Sequence, residues 1–477
     1  MDAHVMNPAQ PVAAAARRAP SAALVAALRE HFGARCSTTE AVLLQHGSDE
    51  SSYRPLPPDA VVYVHDTDEA AFVVRACAAE RVPVIPFGVG SSIEGHLLAV
   101  EGGVCVDFSQ MDAVLEIRPG DLTATVQAGV TRTRLNTALA GTGFFFSVDP
   151  GADATVGGMV ATGASGTNTV RYGTMRDNVV SLTVVTATGE VVRTASHARK
   201  SSAGYNLTQL FCGSEGTLGL VTEATVRIHP HPEVVAAAVV NFPAVRAAVD
   251  CVIESIQLGV PLARAEMLDA LTIRAVNAHG RTALAEKPTL FLEFAGSQAQ
   301  IDEQAAIVRE IADGHGGGEF QWASLQEERS RLWTPRHHAY FASLQLRPGC
   351  RSMTTDACVP LSALAGCVEE TLADLREHGL LAPVFGHVGD GNFHCLVLVD
   401  PDSAEENEAA EAFSHRLVQR SLRHGGTSTG EHGVGLHKMR YLVEEHGAHA
   451  VALMRAVKHA FDPHNILNPG KVVSFTA

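Results

Sequence analysis

The sequence predicts an α+β fold in two main parts: a glycine-rich domain of mixed strands and helices, then a domain built on a helix-flanked antiparallel sheet. Three observations predict it. Between residues 60 and 139, short β-branched runs alternate with helical stretches and then give way to a meander, unlike a regular doubly wound sheet. The run His229-Pro230-His231-Pro232 breaks structure and marks a domain boundary. Beyond it, the order strand, helix, strand, helix suits an antiparallel sheet with helices packed on it.

The elements follow in chain order. Ser21 caps a helix over residues 21–34, and a polar stretch runs on to Pro58. Residues 61–64 read as a strand, and Thr67 caps a helix running to Glu80. A buried strand over 82–85 leads into the first glycine tract. Further strands cover 103–107, 113–117 and 123–128, with a helix over 131–139. Residues 178–190 read as strand, turn, strand, and 224–228 as a strand. In the second part, strands at 234–242 and 289–294 alternate with helices at 244–257 and 302–313. No internal repeat is present.

Composition narrows the function. With 477 residues the chain is long enough for two or three domains. A formal charge of -16 without any basic block argues against a nucleic-acid partner. Nine scattered cysteines with no Cys-x-x-Cys pair point to reduced thiols rather than a disulfide framework. No apolar run approaches the roughly 18–20 residues that span a bilayer. Residues 1–20 are Ala/Pro-rich with Arg17-Arg18, lack a secretory apolar core, and read as a disordered leader.

Three glycine tracts stand out. The first is Pro86-Phe87-Gly88-Val89-Gly90-Ser91-Ser92-Ile93-Glu94-Gly95-His96. Its glycines let the main chain approach a ligand, and its N–H groups, helped by Ser91 and Ser92, suit a diphosphate. It fits neither the P-loop nor the Rossmann spacing, since Ile93 stands where the last glycine would be. The second runs from Asp149 to Gly166, with small residues at nearly every position for contact with something flat or extended. The third runs from Phe211 to Thr222.

The second half carries the sharper chemistry. Asp390-Gly391 reads as a two-residue hairpin turn flanked by apolar strands. Centring on it pairs Gly389 with Asn392, Val388 with Phe393 and His387 with His394. The two imidazoles then stand on one face with Cβ atoms about 4.5–5.5 Å apart, able to chelate one metal. Glu431, with His432 beside it in Gly430-Glu431-His432-Gly433-Val434-Gly435, is a third ligand candidate. Two histidines and a carboxylate with an open position is a catalytic metal pattern; Zn²⁺ is the first expectation, with Mn²⁺ or Fe²⁺ compatible. Arg336, in Arg331-Leu332-Trp333-Thr334-Pro335-Arg336, adds a cation that can hold a carboxylate bidentately. Tyr340, one helical turn on, would face the same site.

In order and spacing, the three tracts resemble the PCMH-type flavin-binding domain of the vanillyl-alcohol-oxidase family. The second half resembles its FAD-linked oxidase C-terminal domain. Together the match covers nearly everything from about residue 55 to the C-terminus. The segments Thr355-Asp356-Ala357-Cys358-Val359-Pro360, Gly386–His394 and Gly430–Gly435 look most like the mitochondrial-type, flavin-dependent D-lactate dehydrogenases. Glycolate oxidase subunits and D-2-hydroxyglutarate dehydrogenases are close relatives.

The resemblance implies noncovalent FAD held by Pro86, Gly88, Val89, Gly90, Ser91, Ser92, Gly95 and His96 at the diphosphate, with His96 structural rather than a covalent anchor. It implies that Pro150, Gly151, Ala154, Thr155, Gly157, Gly158, Ser165 and Gly166 line the flavin and its phosphates. Glu215, Gly216, Gly219 and Val221 would line the remainder, and Asn468 would return from the C-terminus to the flavin. It further implies His387, His394 and Glu431 as metal ligands (Zn or Mn), and His432 as catalytic base. Arg336 would clamp the substrate carboxylate, with Trp333 in the pocket wall. The implied domains are a leader at 1–20, a helical segment at 21–54, the FAD-binding domain at 55–231, a substrate or cap domain at 232–430, and a C-terminal segment at 431–477 returning to the FAD domain.

The expected reaction is oxidation of a D-2-hydroxy acid, D-lactate first, by hydride transfer from C2 to flavin N5. An imidazole base suits removal of the hydroxyl proton near neutrality, and a metal would lower that hydroxyl's pKa. Electrons would pass to a quinone, a cytochrome or another carrier. Met353-Thr354 precede Thr355-Asp356 where the hydroxyglutarate relatives carry a lysine, which favours a small acid. A metal hydrolase leaves the glycine tracts unexplained, and a noncatalytic flavin subunit leaves the metal and base set unexplained. The expected partners are the small acid and the electron acceptor, with no nucleic acid and no transmembrane segment; a homodimer is compatible. A cytoplasmic location, peripheral to the inner membrane, is expected, and a mitochondrial one if the leader is a transit peptide.

Overall fold

A computed structural model describes residues 16–475. By contact the chain divides into two compact units. One comprises residues 16–166, Tyr172–His231 and the chain from Glu431 onward; the other comprises Thr167–Arg171 and Pro232–Gly430.

The first unit contains two larger sheets and a two-stranded antiparallel pair, Phe144–Phe145 with His229–Pro230, so His229 and Pro230 form a short strand where the sequence predicted a break. In one of the larger sheets, the strands Ala60–Tyr63, Val104–Asp107 and Val84–Phe87 run parallel, with Cys36–Ser37 added antiparallel at the edge. Parallel strands need helical crossovers and burial on both faces. Accordingly Val61, Val62, Val84, Val104 and Val106 are all fully buried, and the helix Thr67–Glu80 supplies one cover. Its cap is Asp66, not Thr67: the Asp66 side chain accepts from Glu69 N–H, which a carboxylate at the helix N-terminus does well. Ser21 caps Ala22–Phe32 as its hydroxyl position predicts.

The second sheet is antiparallel, in the order Val114–Arg118, Thr123–Gln127, Leu220–Arg227, Val179–Val185, Val191–Arg193. The chain end joins the first sheet: Leu467 bridges Val84 in parallel, and Asn468 N–H donates to the Val84 carbonyl at 2.9 Å.

The leader expected over 1–20 falls mostly on residues 1–15, outside the described residues. Its last part departs from the expectation. Arg17 pairs with Asp59 at 2.8 Å and Arg18 with Glu101 at 2.7 Å, and Arg18 also donates to the Asn465 carbonyl. Ion pairs and carbonyl contacts therefore hold Arg17 and Arg18 against the unit.

The second unit is one eight-stranded antiparallel sheet. Its main path runs Gln321–Ala323, Val234–Asn241, Thr289–Gly296, Arg264–Leu268, Val384–Gly386, Asn392–Val399, Arg351–Thr354, with Ala357–Cys358 paired to Asn392–Val399. Alternation sorts each strand onto two faces. Ala236, Ala238, Val240, Phe393, Cys395 and Val397 pack under the helices Val245–Gln257, Gln298–Gly314 and Leu361–Glu377. Ala237, Val239, Leu268, Phe291, Phe385, Leu396 and Leu398 pack under Ala270–Gly280, Gln326–His337 and Ala339–Leu344. The predicted helix-flanked antiparallel sheet is thus covered on both faces.

Candidate active site

In the first unit the three glycine tracts meet. A Cβ on Gly88 would lie 2.6 Å from Thr155 Oγ1, and one on Gly216 would lie 2.4 Å from Pro86 Cγ. The first tract therefore packs on the second and third at distances only glycine allows. Among the described residues, the main-chain N–H groups of Gly88, Val89, Gly90 and Ser91 make no hydrogen bond, so the fold leaves a row of donors of the kind a diphosphate accepts from. Gly90 and Gly95 turn the loop with φ of 78° and 80°. These features fit the FAD that the glycine tracts imply.

The second tract is not a continuous loop. Thr155 caps a helix, Val156–Thr162, by accepting from Gly158 N–H at 3.2 Å. Gly157 lies in that helix against Ala128, and Gly166 lies where a Cβ would meet the Asp149 carbonyl at 2.2 Å. Pro150 and Gly151 lie at the partly open edge of the tract, and Ala154 packs on the apolar core.

Several residues expected at the cofactor also make contacts within the protein. Ser165 Oγ donates to the Glu431 carboxylate. Gly219 and Val221 pack in the sheet, where a Cβ at Gly219 would lie 2.5 Å from Val184 Cγ1 and Val221 is buried. Glu215 is drawn inward, because its carboxylate accepts from Val434 N–H at 2.6 Å and Gly435 N–H at 2.9 Å and lies 3.3 Å from His96 Nε2. Burial pushes the His96 imidazole pKa down, but Glu215 outweighs it and leaves the net shift upward. Asn468 Nδ2 donates to the carbonyls of Glu215 at 2.7 Å and His96 at 3.1 Å, so it ties the chain end to two tracts.

Glu94 anchors the His432 segment. Its carboxylate lies 3.7 Å from His432 Nδ1, 2.9 Å from His437 Nδ1 and 3.1 Å from Lys438 Nζ. Burial pushes the Glu94 carboxyl pKa up, yet Lys438, His432 and His437 together hold it well below the usual range.

In the second unit the two histidines converge, but not by the expected register. Phe385, not His387, is the partner of His394. The turn is wider than two residues: Asp390 N–H at 2.9 Å and Asn392 N–H at 3.3 Å both donate to the His387 carbonyl. Gly391 backbone packs on Val359, whose N–H donates to the Gly391 carbonyl at 3.0 Å, and this pulls the turn open. The register shifts by two residues, and an even shift keeps each side chain on its face. The imidazoles therefore still meet, with ring centroids 5.6 Å apart at 83°.

Their Nδ1 atoms are held from behind. His387 Nδ1 lies 2.7 Å from Glu266 Oε1, and His394 Nδ1 lies 3.1 Å from the Thr355 carbonyl. A carboxylate or carbonyl on one ring nitrogen is the arrangement found behind metal-ligating histidines, so this pair fits a divalent metal. Asp356 braces the same strand: it accepts from Asn392 Nδ2 at 2.7 Å, Thr429 Oγ1 at 2.8 Å and Gly430 N–H at 2.7 Å. Glu431 follows Gly430 in the chain.

Three residues are expected at the cation site. Arg336 Nε and Nη2 both bind Glu266, at 2.8 and 2.7 Å, so one edge of its fork is already filled by a protein carboxylate. Trp333 is 3% exposed and packs in the apolar core between Arg264 and His337. Tyr340 is not one turn further along the Arg336 helix but on the next helix. The helix ends at His337 and another starts at Ala339, which breaks the four-residue spacing; Tyr340 is 41% exposed and its hydroxyl lies 3.3 Å from Ser352 Oγ.

The residue that sequence reading missed is Glu266. It lies on Arg264–Leu268 opposite Phe291 and is 1% exposed. Burial pushes its carboxyl pKa up, but His387 and Arg336 hold it below the ordinary value. A lone glutamate alternating with apolar residues was the available signal, because carboxylates are almost never fully buried unless paired.

Two family models match the chain: the FAD-linked oxidase C-terminal domain over residues 231–472, and an FAD-binding domain over residues 58–195. A probable mitochondrial D-lactate dehydrogenase of Danio rerio is 48% identical over 92% of this chain and 89% of its own length. A mitochondrial D-lactate dehydrogenase [cytochrome] of Arabidopsis thaliana is 44% identical over 90% of this chain and 76% of its own. Among solved structures, substrate-bound p-cresol methylhydroxylase aligns with a TM-score of 0.76 and 18% identity, covering 95% of this chain and 97% of the other, a likeness of fold. No helix among the described residues is long and apolar enough to cross a membrane.

Proposed function

Since this chain belongs to the FAD-linked oxidases and is an FAD-binding oxidoreductase, we propose that it oxidises a D-2-hydroxy acid, D-lactate foremost, to the 2-keto acid. The observation that carries the reading is the Glu266-linked group in the second unit, which sets one imidazole of a metal-type pair and a guanidinium on one carboxylate. A cation for a carboxylate beside ligands for a metal is what an α-hydroxy acid requires. The names of the two mitochondrial relatives support D-lactate within that class.

The glycine tracts would hold the FAD, which when bound would supply the two-electron acceptor for the substrate's C2 hydride. His387, His394 and Glu431 would hold a divalent metal that polarises the substrate hydroxyl. Arg336 attracts the substrate carboxylate through the part of its guanidinium that Glu266 leaves uncovered. His432, steadied by Glu94, takes the hydroxyl proton. Electrons then leave to a carrier of the quinone or cytochrome type. The names of the two relatives favour a mitochondrial location, with a cytoplasmic one peripheral to the inner membrane as the alternative.

Anaerobic addition of D-lactate to the purified yellow protein tests this directly. The expected result is bleaching of the flavin band by D-lactate and not by L-lactate. Bleaching by glycolate or D-2-hydroxyglutarate alone would move the substrate within the class. Absence of bleaching by any 2-hydroxy acid would overturn the reading.

A further inference from the structure

We propose that Glu266 is a positioning residue that couples the metal site to the substrate-carboxylate site, so that each strengthens the other. This rests on the reading above and deepens it. Glu266 uses both carboxylate oxygens in different directions. Oε1 faces His387 Nδ1 at 2.7 Å, while Oε2 accepts from Arg336 Nε at 2.8 Å and lies 2.7 Å from Arg336 Nη2. The carboxylate is buried on a central strand opposite Phe291, and the Arg336 guanidinium that it holds lies over the Phe385 ring at 5.2 Å. It is therefore a rigid bridge rather than a surface ion pair.

Two consequences follow from this geometry. Accepting from His387 Nδ1 fixes the tautomer in which Nε2 is the ligand atom, and makes that nitrogen a better donor to a cation. Holding the Nε edge of Arg336 fixes the guanidinium plane, so the substrate carboxylate meets a preset cation rather than a mobile one. A shift of the carboxylate toward either partner is felt by the other. Linkage then requires the effect to be reciprocal: metal raises substrate affinity by the factor by which substrate raises metal affinity.

The test compares metal-stripped holoflavoprotein, wild type and E266Q, in two measurements. Zn²⁺ affinity is read by competition with a chromophoric chelator, with and without the non-reacting L-lactate or the product pyruvate. KM and kcat for D-lactate are read with a dye acceptor. E266Q keeps the shape but offers Oε1 or Nε2 where two carboxylate oxygens stood. The expected result is Zn²⁺ affinity lower by about 10–100-fold, a raised KM, a smaller ligand effect on Zn²⁺ affinity than in wild type, and unchanged flavin content. E266Q with wild-type Zn²⁺ affinity and wild-type KM would overturn the coupling while leaving the proposed reaction standing. Wild-type protein that binds no Zn²⁺ and no Mn²⁺ would overturn the metal reading and the coupling with it. Should E266Q fail to fold, E266D takes its place: it retains the charge, shortens the bridge by one methylene, and is expected to shift both quantities in the same direction.

Discussion

Glu94 and Lys438 form a buried ion pair, 3.1 Å apart, between the first glycine tract and the segment that carries His432. The folded protein holds Glu94 ionised well below its unfolded pKa of 4.5. A carboxyl lowered on folding adds stability above its unfolded pKa, and that stability is lost as pH falls toward the folded value. Wild type is therefore expected to lose thermal stability steeply below about pH 4.5, and E94Q to show a flatter acid limb. At neutral pH E94Q removes the buried carboxylate charge that faces Lys438, His432 and His437, at a cost of about 3–5 kcal/mol. Thermal unfolding between pH 7 and pH 3 checks both; parallel curves for the two proteins would remove Glu94 as the source.

Removal of the base separates chemistry from cofactor binding. H432A is expected to retain FAD and to slow flavin reduction by D-lactate by roughly 10²–10⁴-fold, the usual worth of a positioned base. Anaerobic stopped-flow absorbance gives the rate. A rate within a few fold of wild type would assign the proton to another group.

Gly88 probes the junction of the tracts. A methyl group there would lie 2.6 Å from Thr155 Oγ1, which caps the helix Val156–Thr162. G88A must displace the cap or the loop, at about 1–3 kcal/mol, and is expected to lower FAD content in the purified protein. Full flavin occupancy with unchanged melting temperature would show that the loop yields without loss.

Arg336 separates substrate binding from the flavin. R336M removes the cation and leaves Glu266 with His387 alone. A charged hydrogen bond contributes about 1.5–3 kcal/mol, so KM for D-lactate should rise roughly 10–100-fold while flavin content stays constant. Steady-state kinetics with an artificial acceptor measure it.

Chelation bears on the metal. Dialysis against a strong chelator should abolish D-lactate oxidation, leave the flavin spectrum intact, and be reversed by Zn²⁺ or Mn²⁺. Activity that survives with no metal detectable by mass spectrometry would confine His387 and His394 to hydrogen bonding.

Much of this protein was legible without coordinates. Signals carried by a few consecutive residues were read correctly: the Ser21 cap, the β-branched run at Val84 and Ile85, and the strand over Val234–Asn241. Each depends on local sterics or on a period of two or 3.6 residues, which the chain displays along its own length. The motifs also sufficed for the family. Where local signals competed, reading failed: Asp66 outdid Thr67 as a cap because it is charged, and Gly391 opened the turn because Val359 packs on it.

The tertiary structure alone decided what depends on sheet order. Glu266 precedes His387 by 121 residues, and Arg336 lies 70 residues beyond Glu266. Nothing in their spacing relates them. They meet because Arg264–Leu268 lies beside Val384–Gly386 and because the helix Gln326–His337 packs on the same face. The sequence by itself determined the fold class, the family and the flavin cofactor. Which buried charges pair was left to the fold, because a carboxylate in an apolar interior takes the cations that chain topology brings within reach.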